Sequence, residues 1–353
     1  MISILERAEG GDHLSKGDLL SLLSTAGVEE SEALFAAARR ARARTTGNRV
    51  FLYGFVYLST HCRQDCHFCF YRRSNTRSPR YRKTTDQVVE VARTLADSNV
   101  HLIDLTMGED PAYLDGDGPG ELANLVASVR AVTGLPVMIS PGVVDEEVLS
   151  ALKKSGAEWY ACYQETHNRS LFREIRPSQP FDARMEGKRA ARELGFLTEE
   201  GILSGVGETS QDVVESLAAM KELASDQVRV MSFIPQTGTP FARRPPGKIE
   251  DELKVIAILR LVFPDRLIPA SLDVSGLEGL KARLRAGANV VTSLVPPGEG
   301  LAGVAQSRLD IEESRRTVES VGPVLRACGL QAATRGEYRR WMDERMGQSV
   351  GAP

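Results

Sequence analysis

The chain has 353 residues, 42% of them hydrophobic and 26% charged, and a formal net charge of -3 at pH 7. This composition predicts a globular protein with an ample core, and the near-neutral charge gives no reason to expect nucleic acid or a membrane as a partner. The most apolar run, residues 253–263, is too short to cross a bilayer and contains Lys254 and Arg260. Acidic and basic residues are mixed within the first dozen positions, which fits no targeting signal, so we expect a cytoplasmic protein.

Apolar runs with the character of β-strands alternate with longer helical patterns through the middle of the chain, which is typical of βα units around a parallel sheet. The predicted strands lie at 49–59, 101–108, 136–142, 158–165, 196–205, 227–235, 267–273 and 289–296. Eight alternations in about 250 residues predict an α/β fold, a closed (βα)8 TIM-type barrel, and leave a doubly wound open sheet as the alternative. We expect the barrel at 49–305, with helical extensions at 1–48 and 306–353.

Polar residues stand at the predicted carboxyl ends of several strands, and in a barrel these ends form the face where chemistry takes place. They are a cysteine-rich loop after the first strand, Glu109 after the second, Ser140 ending the third, Glu165 ending the fourth, Arg229 within the sixth, and Ser271 and Asp273 ending the seventh. The sequence therefore predicts one site at this face.

Three of the five cysteines, Cys62, Cys66 and Cys69, lie together in the loop after the first strand. A structural zinc site needs four ligands, usually as two separated pairs, and only His61 or His67 is near enough in sequence to complete a Cys3His site. A [4Fe-4S] cluster held by three thiolates instead leaves one iron open to a small molecule that chelates it. Three neighbouring cysteines therefore favour such a cluster, with the zinc site as the alternative.

The stretch "CRQDCHFC" has the spacing C-x3-C-x2-C with an aromatic residue before the last cysteine, and it resembles the radical S-adenosylmethionine (SAM) superfamily. The resemblance implies that SAM chelates the open iron and that one electron from the cluster cleaves it to methionine and a 5'-deoxyadenosyl radical. That radical removes a hydrogen atom from an unactivated carbon of the substrate, while the protein positions the reacting carbon. Phe68, between the last two cysteines, is expected to pack on the adenine side of the loop or to be a plain core residue.

Further segments suggest ligands for SAM. "TMGEDP" at 106–111 stands where the superfamily carries Gly-Gly-Glu, which implies that Glu109 accepts the amino group of SAM. Residues 163–184 are similar to the subgroup containing biotin synthase and the hydrogenase-maturation enzyme, which implies that Glu165 and Arg184 bind SAM. An arginine fork also suits the carboxylate of SAM. Ser140, in "ISPG", is a further candidate for contact with the ribose or adenine.

Stretches such as "GNRVFLYGFVYLSTHC", "VRVMSFIPQTGTP" and "RAGANVVTSLVPP" resemble the methylornithine synthase family of pyrrolysine biosynthesis, and the likeness runs over about residues 15–335. It implies a mutase that converts L-lysine to (3R)-3-methyl-D-ornithine by hydrogen abstraction, fragmentation and recombination, with SAM re-formed. The alternative is another radical SAM enzyme of the biotin synthase and hydrogenase-maturation subgroup that consumes SAM irreversibly on a different small molecule. One departure from the family, Glu-Glu-Gly at 199–201 for Glu-Asp-Gly, is expected to lie away from the ligands.

A lysine substrate carries one carboxylate and two ammonium groups, so its pocket needs a cationic fork and at least two carboxylates. The family resemblance and charge complementarity assign Arg229 to the substrate carboxylate, with help from the hydroxyl of Ser271. They assign Asp273 to the α-ammonium group and Asp104 to the distal one. The alternative is that the charged residues form internal ion pairs that support the barrel.

A basic run follows the cysteine loop and consists of Arg72, Arg73, Arg77, Arg80, Arg82 and Lys83. Since a cluster needs an external electron, this run is a candidate docking surface for an acidic flavodoxin or ferredoxin. Alternatively, some of these arginines pack on the barrel mouth and seal it. A mutase whose fragments must recombine needs a sealed barrel, and the two terminal extensions are the candidate lids.

Overall fold

The computed structural model describes residues 1–299 and 315–350, and its centre is a parallel barrel. The strands are β1 (Arg49–Ser59), β2 (Leu102–Met107), β3 (Val137–Ser140), β4 (Ala157–Ala161), β5 (Leu197–Ser204), β6 (Gln227–Ser232), β7 (Pro269–Ser271) and β8 (Val290–Leu294). They are joined in the order β6-β5-β4-β3-β2-β1-β8-β7. A parallel bridge between Gln227 and Leu267 brings β6 next to the start of β7, so the sheet closes on itself. The predicted TIM-type barrel is confirmed, and the open sheet is excluded.

Helices surround this barrel and precede it. They are α1 (Ile2–Gly10), α2 (Lys16–Leu23), α3 (Val28–Thr46), α4 (Thr85–Asp97), α5 (Pro111–Leu114), α6 (Gly118–Thr133), α7 (Glu146–Lys154), α8 (Arg169–Ile175), α9 (Phe181–Glu193), α10 (Ser210–Glu222), α11 (Ile249–Val262), α12 (Gly276–Arg285), α13 (Val318–Ala327) and α14 (Arg335–Val350). None of these helices has the length and apolar content needed to cross a membrane.

Local sequence explains where the helices begin and which face they bury. Thr84 caps α4, and its side chain and that of Gln87 each bind the other residue's backbone amide, which is a capping box. Thr209 and Asp212 do the same for α10. The apolar residues of α4 recur at helical spacing and form its buried face, Val88, Val91, Ala92 and Leu95. Helices on the outside let the strands be buried on both faces, as is usual for parallel sheets.

The N-terminal helices lie against the outer layer of the barrel. Arg42 on α3 is buried and donates hydrogen bonds from its Nη1 to the carbonyl oxygens of Leu284 and Ala288, at 2.5 and 3.0 Å. These oxygens lie at the carboxyl end of α12 and just beyond it. The guanidinium therefore fastens α3 to the end of α12 in the outer layer of the barrel.

The C-terminal residues close the bottom of the barrel, opposite the predicted site. A short strand, β9 (Gln331–Ala332), pairs with the start of β1, so this extension is not purely helical as expected. Tyr338 and Trp341 of α14 pack under the barrel, with the Tyr338 hydroxyl 2.8 Å from that of Tyr53 and the Trp341 ring stacked on Trp159 at 5.9 Å. Residues 300–305 of the predicted barrel segment and 306–314 and 351–353 of the predicted extension lie outside the described residues, and the division into segments stays a prediction.

We expect Tyr338→Ala to lower the free energy of unfolding by about 3–5 kcal/mol, the usual cost of deleting a large buried aromatic side chain. Tyr338 is 1% exposed and contacts the rings of Phe51, Tyr53 and Trp341. Urea denaturation followed by circular dichroism measures the change. Arg340→Ala, an exposed position on the same helix, is the matched control. Equal stability of the two variants would show that α14 does not stabilise the barrel.

Candidate active site

A cavity of about 200 Å³ lies at the carboxyl ends of the strands. Its walls include every residue that the sequence assigned to the cluster, SAM or the substrate, except Ser271. The three cysteines and the glutamates lie together with Asp104, Arg229 and Asp273, so one cavity holds both predicted ends of the site. The individual roles of these residues remain predictions.

The cysteine loop is held by its neighbours. Gly108 packs so closely on His61 and Cys62 that a side chain there would overlap the backbone oxygen of His61, which explains why the usual glycine is kept at this position. The backbone amide of Arg63 donates to the carbonyl oxygen of Glu109 at 2.8 Å, and that of His67 donates to the last carbonyl oxygen of α8. The thiols are thus fixed between the loop after β2 and α8.

The donors around the thiols suit an anionic cluster. Burial raises the pKa of the Cys62 thiol to about 11 and raises that of Cys69 as well, so neither sulfur is a stable thiolate without a positive partner. The backbone amide nitrogen of Gln64 lies 3.4 Å from Cys62 Sγ, and Arg176 Nη1 lies 3.2 Å from Cys66 Sγ. N–H donors aimed at sulfur are typical of iron–sulfur sites. The donor set therefore fits a [4Fe-4S] cluster.

The zinc alternative finds no such support. Within residues 1–299 and 315–347, no three His, Cys, Asp or Glu side chains converge as a single metal ion requires. The ring of His67 packs edge-on against Phe241 at 5.6 Å. A four-iron cluster offers each thiolate its own iron, so its three ligands need not meet at one point.

Glu109 is held in place by several hydrogen bonds. Its carboxylate accepts hydrogen bonds from Gln64 Nε2 at 2.6 Å, Gln179 Nε2 at 3.1 Å and Arg184 Nη1 at 3.4 Å. Gly142, with a φ of 84°, lies so close to the Glu109 side chain that a Cβ on this glycine would overlap the glutamate. The carboxylate is thus fixed in the cavity wall.

Glu165 does not end β4, which stops at Ala161, but follows it in a left-handed conformation with a φ of 67°. Backbone hydrogen bonds of 2.9 Å to Gly201 and Leu203 hold it against β5 and support this uncommon conformation. Its Oε1 accepts a hydrogen bond from Arg176 Nη2 at 2.6 Å. Arg176 also contacts Cys66, and sequence reasoning missed it although it lies between the two predicted SAM ligands of its segment.

Arg184 is anchored to backbone at one edge. Its Nε and Nη2 donate to the carbonyl oxygen of Tyr163, at 3.1 and 2.7 Å, and its Nη1 donates to Gln179 Oε1 at 2.8 Å. Gln179, like Arg176, is a buried residue that the sequence did not assign. These contacts turn the guanidinium toward Glu109.

At the other end of the cavity, Arg229 forms an ion pair with Glu199, with 2.5 Å between Nε and Oε1. Its guanidinium lies 5.0 Å from the ring centre of Tyr163, whose hydroxyl donates to Glu199 at 2.9 Å. A Cβ on Gly201 would lie 2.8 Å from Arg229 Cγ and 2.9 Å from Tyr163 Cδ1, so glycine is required there. Glu199 and Gly201 thus lie at the substrate end, whereas Glu200, the residue that departs from the family, does not line the cavity, as expected.

Asp273 accepts hydrogen bonds from the hydroxyls of Tyr57 and Ser293, both at 2.7 Å, and from Arg316 Nη1 at 2.9 Å. Ser271 also points its hydroxyl toward this carboxylate, at 3.4 Å, and does not line the cavity. Ser271 is thus grouped with Asp273, whereas the sequence paired it with Arg229. Arg316 is a further residue that the sequence did not assign.

Asp104 is a buried carboxyl group that accepts a hydrogen bond from the Ser140 hydroxyl at 3.2 Å. Burial, and then the negative charge of Glu199, raise its pKa well above the ordinary value, against the opposing effects of Arg229 and Ser140. Ser140, predicted as a SAM contact, therefore also contacts a residue predicted to bind the substrate.

The barrel and its three-cysteine loop define a radical SAM protein. A model of the radical SAM superfamily matches residues 56–220. The structure is similar in fold to the [FeFe]-hydrogenase maturase HydG from Carboxydothermus hydrogenoformans, with a TM-score of 0.83, 22% identity and coverage of 96% of this chain and 81% of that chain.

More specific relatives are the curated 3-methylornithine synthases of Methanosarcina acetivorans, 44% identical over 94% of both chains, and Methanosarcina barkeri, 43% identical over 95% of both. The crystal structure of methylornithine synthase has a TM-score of 0.91 and 42% identity, covering 96% of this chain and 99% of that chain. The chain belongs to the 3-methylornithine synthase family of radical SAM enzymes.

We expect Asp104→Asn to stabilise the apoprotein at neutral pH. A carboxyl whose pKa is raised by folding contributes stability that is fully present below its unfolded pKa of about 4. That stability is lost as the pH rises through the folded pKa, at up to about 1.4 kcal/mol per pH unit. Asparagine does not ionise, so the advantage of the variant should grow across this window.

Urea denaturation of the reduced apoprotein at pH 4, 6 and 8 measures the difference. Asp86→Asn makes the same substitution at an exposed position on α4 and is the matched control. A difference between Asp104→Asn and the parent that does not change with pH would contradict a raised pKa.

Proposed function

We propose that this chain isomerises L-lysine to (3R)-3-methyl-D-ornithine, the first step of pyrrolysine biosynthesis. The family supports the reaction, and the observation that carries the proposal is the unsatisfied donor at the substrate end of the cavity. Arg229 is 3% exposed, and its Nη2 has no hydrogen-bond partner among the described residues. A buried donor without a partner costs about 1–3 kcal/mol, and the carboxylate of an amino acid would satisfy it.

The charges around this end also match lysine. Three carboxylates and two guanidinium groups surround it, namely Asp104, Glu199, Asp273, Arg229 and Arg316. Fully ionised, they carry a net charge of about -1, which complements the single net positive charge of lysine. An anionic substrate would meet excess carboxylates. This balance favours a diamino acid over the other small molecules of the subgroup.

Each polar group of lysine then has a partner. The substrate carboxylate binds Arg229, which Glu199 and Tyr163 hold in one orientation. Asp273 binds the α-ammonium group with its carboxylate oriented by Tyr57 and Ser293, and Asp104 binds the distal ammonium group. An ammonium group next to Asp104 favours the ionised carboxylate and so opposes the effect of burial on its pKa.

The cofactors occupy the opposite end of the same cavity in this proposal. The thiolates of Cys62, Cys66 and Cys69 would hold the [4Fe-4S] cluster, and Glu109, Glu165 and Arg184 would bind SAM, with Phe68 at the adenine side of the loop and Ser140 near the ribose. When bound, the cluster and SAM supply the abstraction of a hydrogen atom from the substrate. The chain itself binds and orients the two molecules and excludes water between them.

Anaerobic incubation of the reconstituted protein with uniformly 13C-labelled L-lysine, SAM and dithionite tests the proposal. We expect a new labelled amino acid of the same mass as lysine, with little 5'-deoxyadenosine, when amino acids are derivatised and separated by liquid chromatography with mass spectrometry. Stoichiometric 5'-deoxyadenosine without this product would instead favour a different substrate and irreversible use of SAM.

In the same assay, Asp273→Asn should lower product formation by roughly 100-fold or more, because it removes one partner of a buried charged contact. Residual SAM cleavage should remain measurable, since Asp273 lies at the substrate end. Asp86→Asn, exposed on α4, is the control. Normal activity of Asp273→Asn would contradict the assignment of the α-ammonium site.

We further propose that an acidic flavodoxin or ferredoxin in the cytoplasm, where thiols stay reduced, supplies the electron. Half of the basic run makes hydrogen bonds or ion pairs within the protein near the barrel mouth. Arg80 donates to backbone oxygens of its own loop, Arg82 pairs with Asp110 at 2.7 Å, and Lys83 pairs with Glu299. These contacts support the sealing interpretation for that part of the run.

Arg73 and Arg77, two exposed members of the run, lie on the surface beside the cysteine loop. The side chain of Arg73 is 68% exposed and pairs with Asp65, and Arg77 is exposed. They support docking of an acidic donor, with Arg72 half-buried behind them. The docking surface is thus narrower than the six basic residues of the sequence suggest.

We expect cluster reduction by flavodoxin to slow as the ionic strength rises and to slow further in Arg77→Gln. Stopped-flow absorbance of the cluster measures the rate. Photoreduction by deazaflavin should be equal in the parent and the variant, which controls for damage to the cluster. A flavodoxin rate that is independent of salt would remove the docking proposal.

A further inference from the structure

Arg176 links the two halves of the cofactor end and has no role in the assignments above. Its side chain is buried, with 8% of the residue exposed. Nη1 lies 3.2 Å from Cys66 Sγ, and Nη2 lies 2.6 Å from Glu165 Oε1. The guanidinium also lies 5.1 Å from the ring centre of Phe68. One cation therefore contacts a predicted cluster ligand, a predicted SAM ligand and the aromatic ring beside them.

The backbone fixes Arg176 relative to the cysteine loop. It caps the carboxyl end of α8, where its amide donates to the oxygen of Phe172 at 2.8 Å. The preceding residue, Ile175, accepts a hydrogen bond of 2.9 Å from the amide of His67, which stands next to Cys66 in sequence. This hydrogen bond joins the cysteine loop to the end of α8 and so places Arg176 beside the sulfur.

A cation at this sulfur has an electrostatic consequence. Reduction adds one electron from an external reductant to the cluster and makes it more negative. A buried positive charge and an N–H donor at a ligand sulfur stabilise that form, because charges interact strongly where water is excluded. Groups outside the ligand set also tune a metal centre through its ligands. The other terminal nitrogen of the same guanidinium, Nη2, donates to Glu165, whose backbone is in an uncommon left-handed conformation.

We propose that Arg176 is a positioning residue that raises the reduction potential of the cluster through Cys66 and orients Glu165 for SAM. The proposal rests on the cluster and SAM assignments of Cys66 and Glu165. Its two effects depend on different properties of the side chain. The potential depends on the positive charge near sulfur, whereas the orientation of Glu165 depends on a fork that reaches both partners at once.

Two variants separate these effects. Arg176→Gln removes the charge and Arg176→Lys keeps it without the fork. Arg173→Gln makes the same charge change at an exposed position on α8 and is the matched control. Each reconstituted holoprotein is checked for iron content and circular dichroism. An anaerobic redox titration with mediator dyes, followed by electron paramagnetic resonance without SAM, then gives the potential, and equilibrium dialysis gives the affinity for SAM.

We expect Arg176→Gln to lower the potential and Arg176→Lys to leave it near that of the parent. Both should weaken SAM binding by about tenfold, the effect of losing one hydrogen bond to a charged group. Arg173→Gln should match the parent in both measurements.

An unchanged potential in Arg176→Gln with full iron content would overturn the electrostatic role, and unchanged SAM affinity in Arg176→Lys would overturn the orienting role. If Arg176→Gln fails to hold a cluster, the SAM affinity of Arg176→Lys still decides the orienting role, and a Lys variant with a markedly lower potential refutes the charge argument. Failure of the parent to hold a cluster would instead refute the cofactor assignment itself.

Discussion

The buried ion pair between Arg229 and Glu199 organises the cavity. Breaking such a pair by removing one partner typically costs about 3–5 kcal/mol, since the other charge is left buried and alone. Tyr163 makes the pair part of a larger unit, because its ring faces Arg229 and its hydroxyl binds Glu199. Its backbone oxygen binds Arg184 at the cofactor end. Tyr163 thus sets the spacing between Arg229, proposed for the substrate, and Arg184, proposed for SAM.

The sequence predicted the eight strands and brought nearly all the proposed site residues to one face, because carboxyl ends of parallel strands converge in a barrel. It missed Glu199, although Glu199 and Gly201 stand two apart on β5 and so share its inward face. It also missed Arg176 and Gln179, whose roles depend on side-chain directions toward partners far along the chain. β9 has two residues, too few to give any periodic pattern.

Different kinds of contact stabilise the two ends of the barrel. At the bottom, α14 inserts aromatic rings below the first residues of the strands, where they exclude water by packing. Near the site, Arg80 satisfies backbone oxygens of the loop after the cysteines, and Arg82 holds Asp110 beside β1. The described contacts are thus polar near the site and mainly apolar at the bottom of the barrel.

The burial of Asp104 makes its ionisation depend on the charges beside it. Burial and the negative charge of Glu199 raise its pKa well above the ordinary value, because a buried anion without a positive partner is costly. Asp273 and Glu199 each pair with an arginine, Arg316 and Arg229, so a cationic group of a ligand matters most to Asp104. In the proposed arrangement, the distal ammonium group of the substrate would lower the cost of ionising this buried acid. A ligand without that group would bring no such compensation.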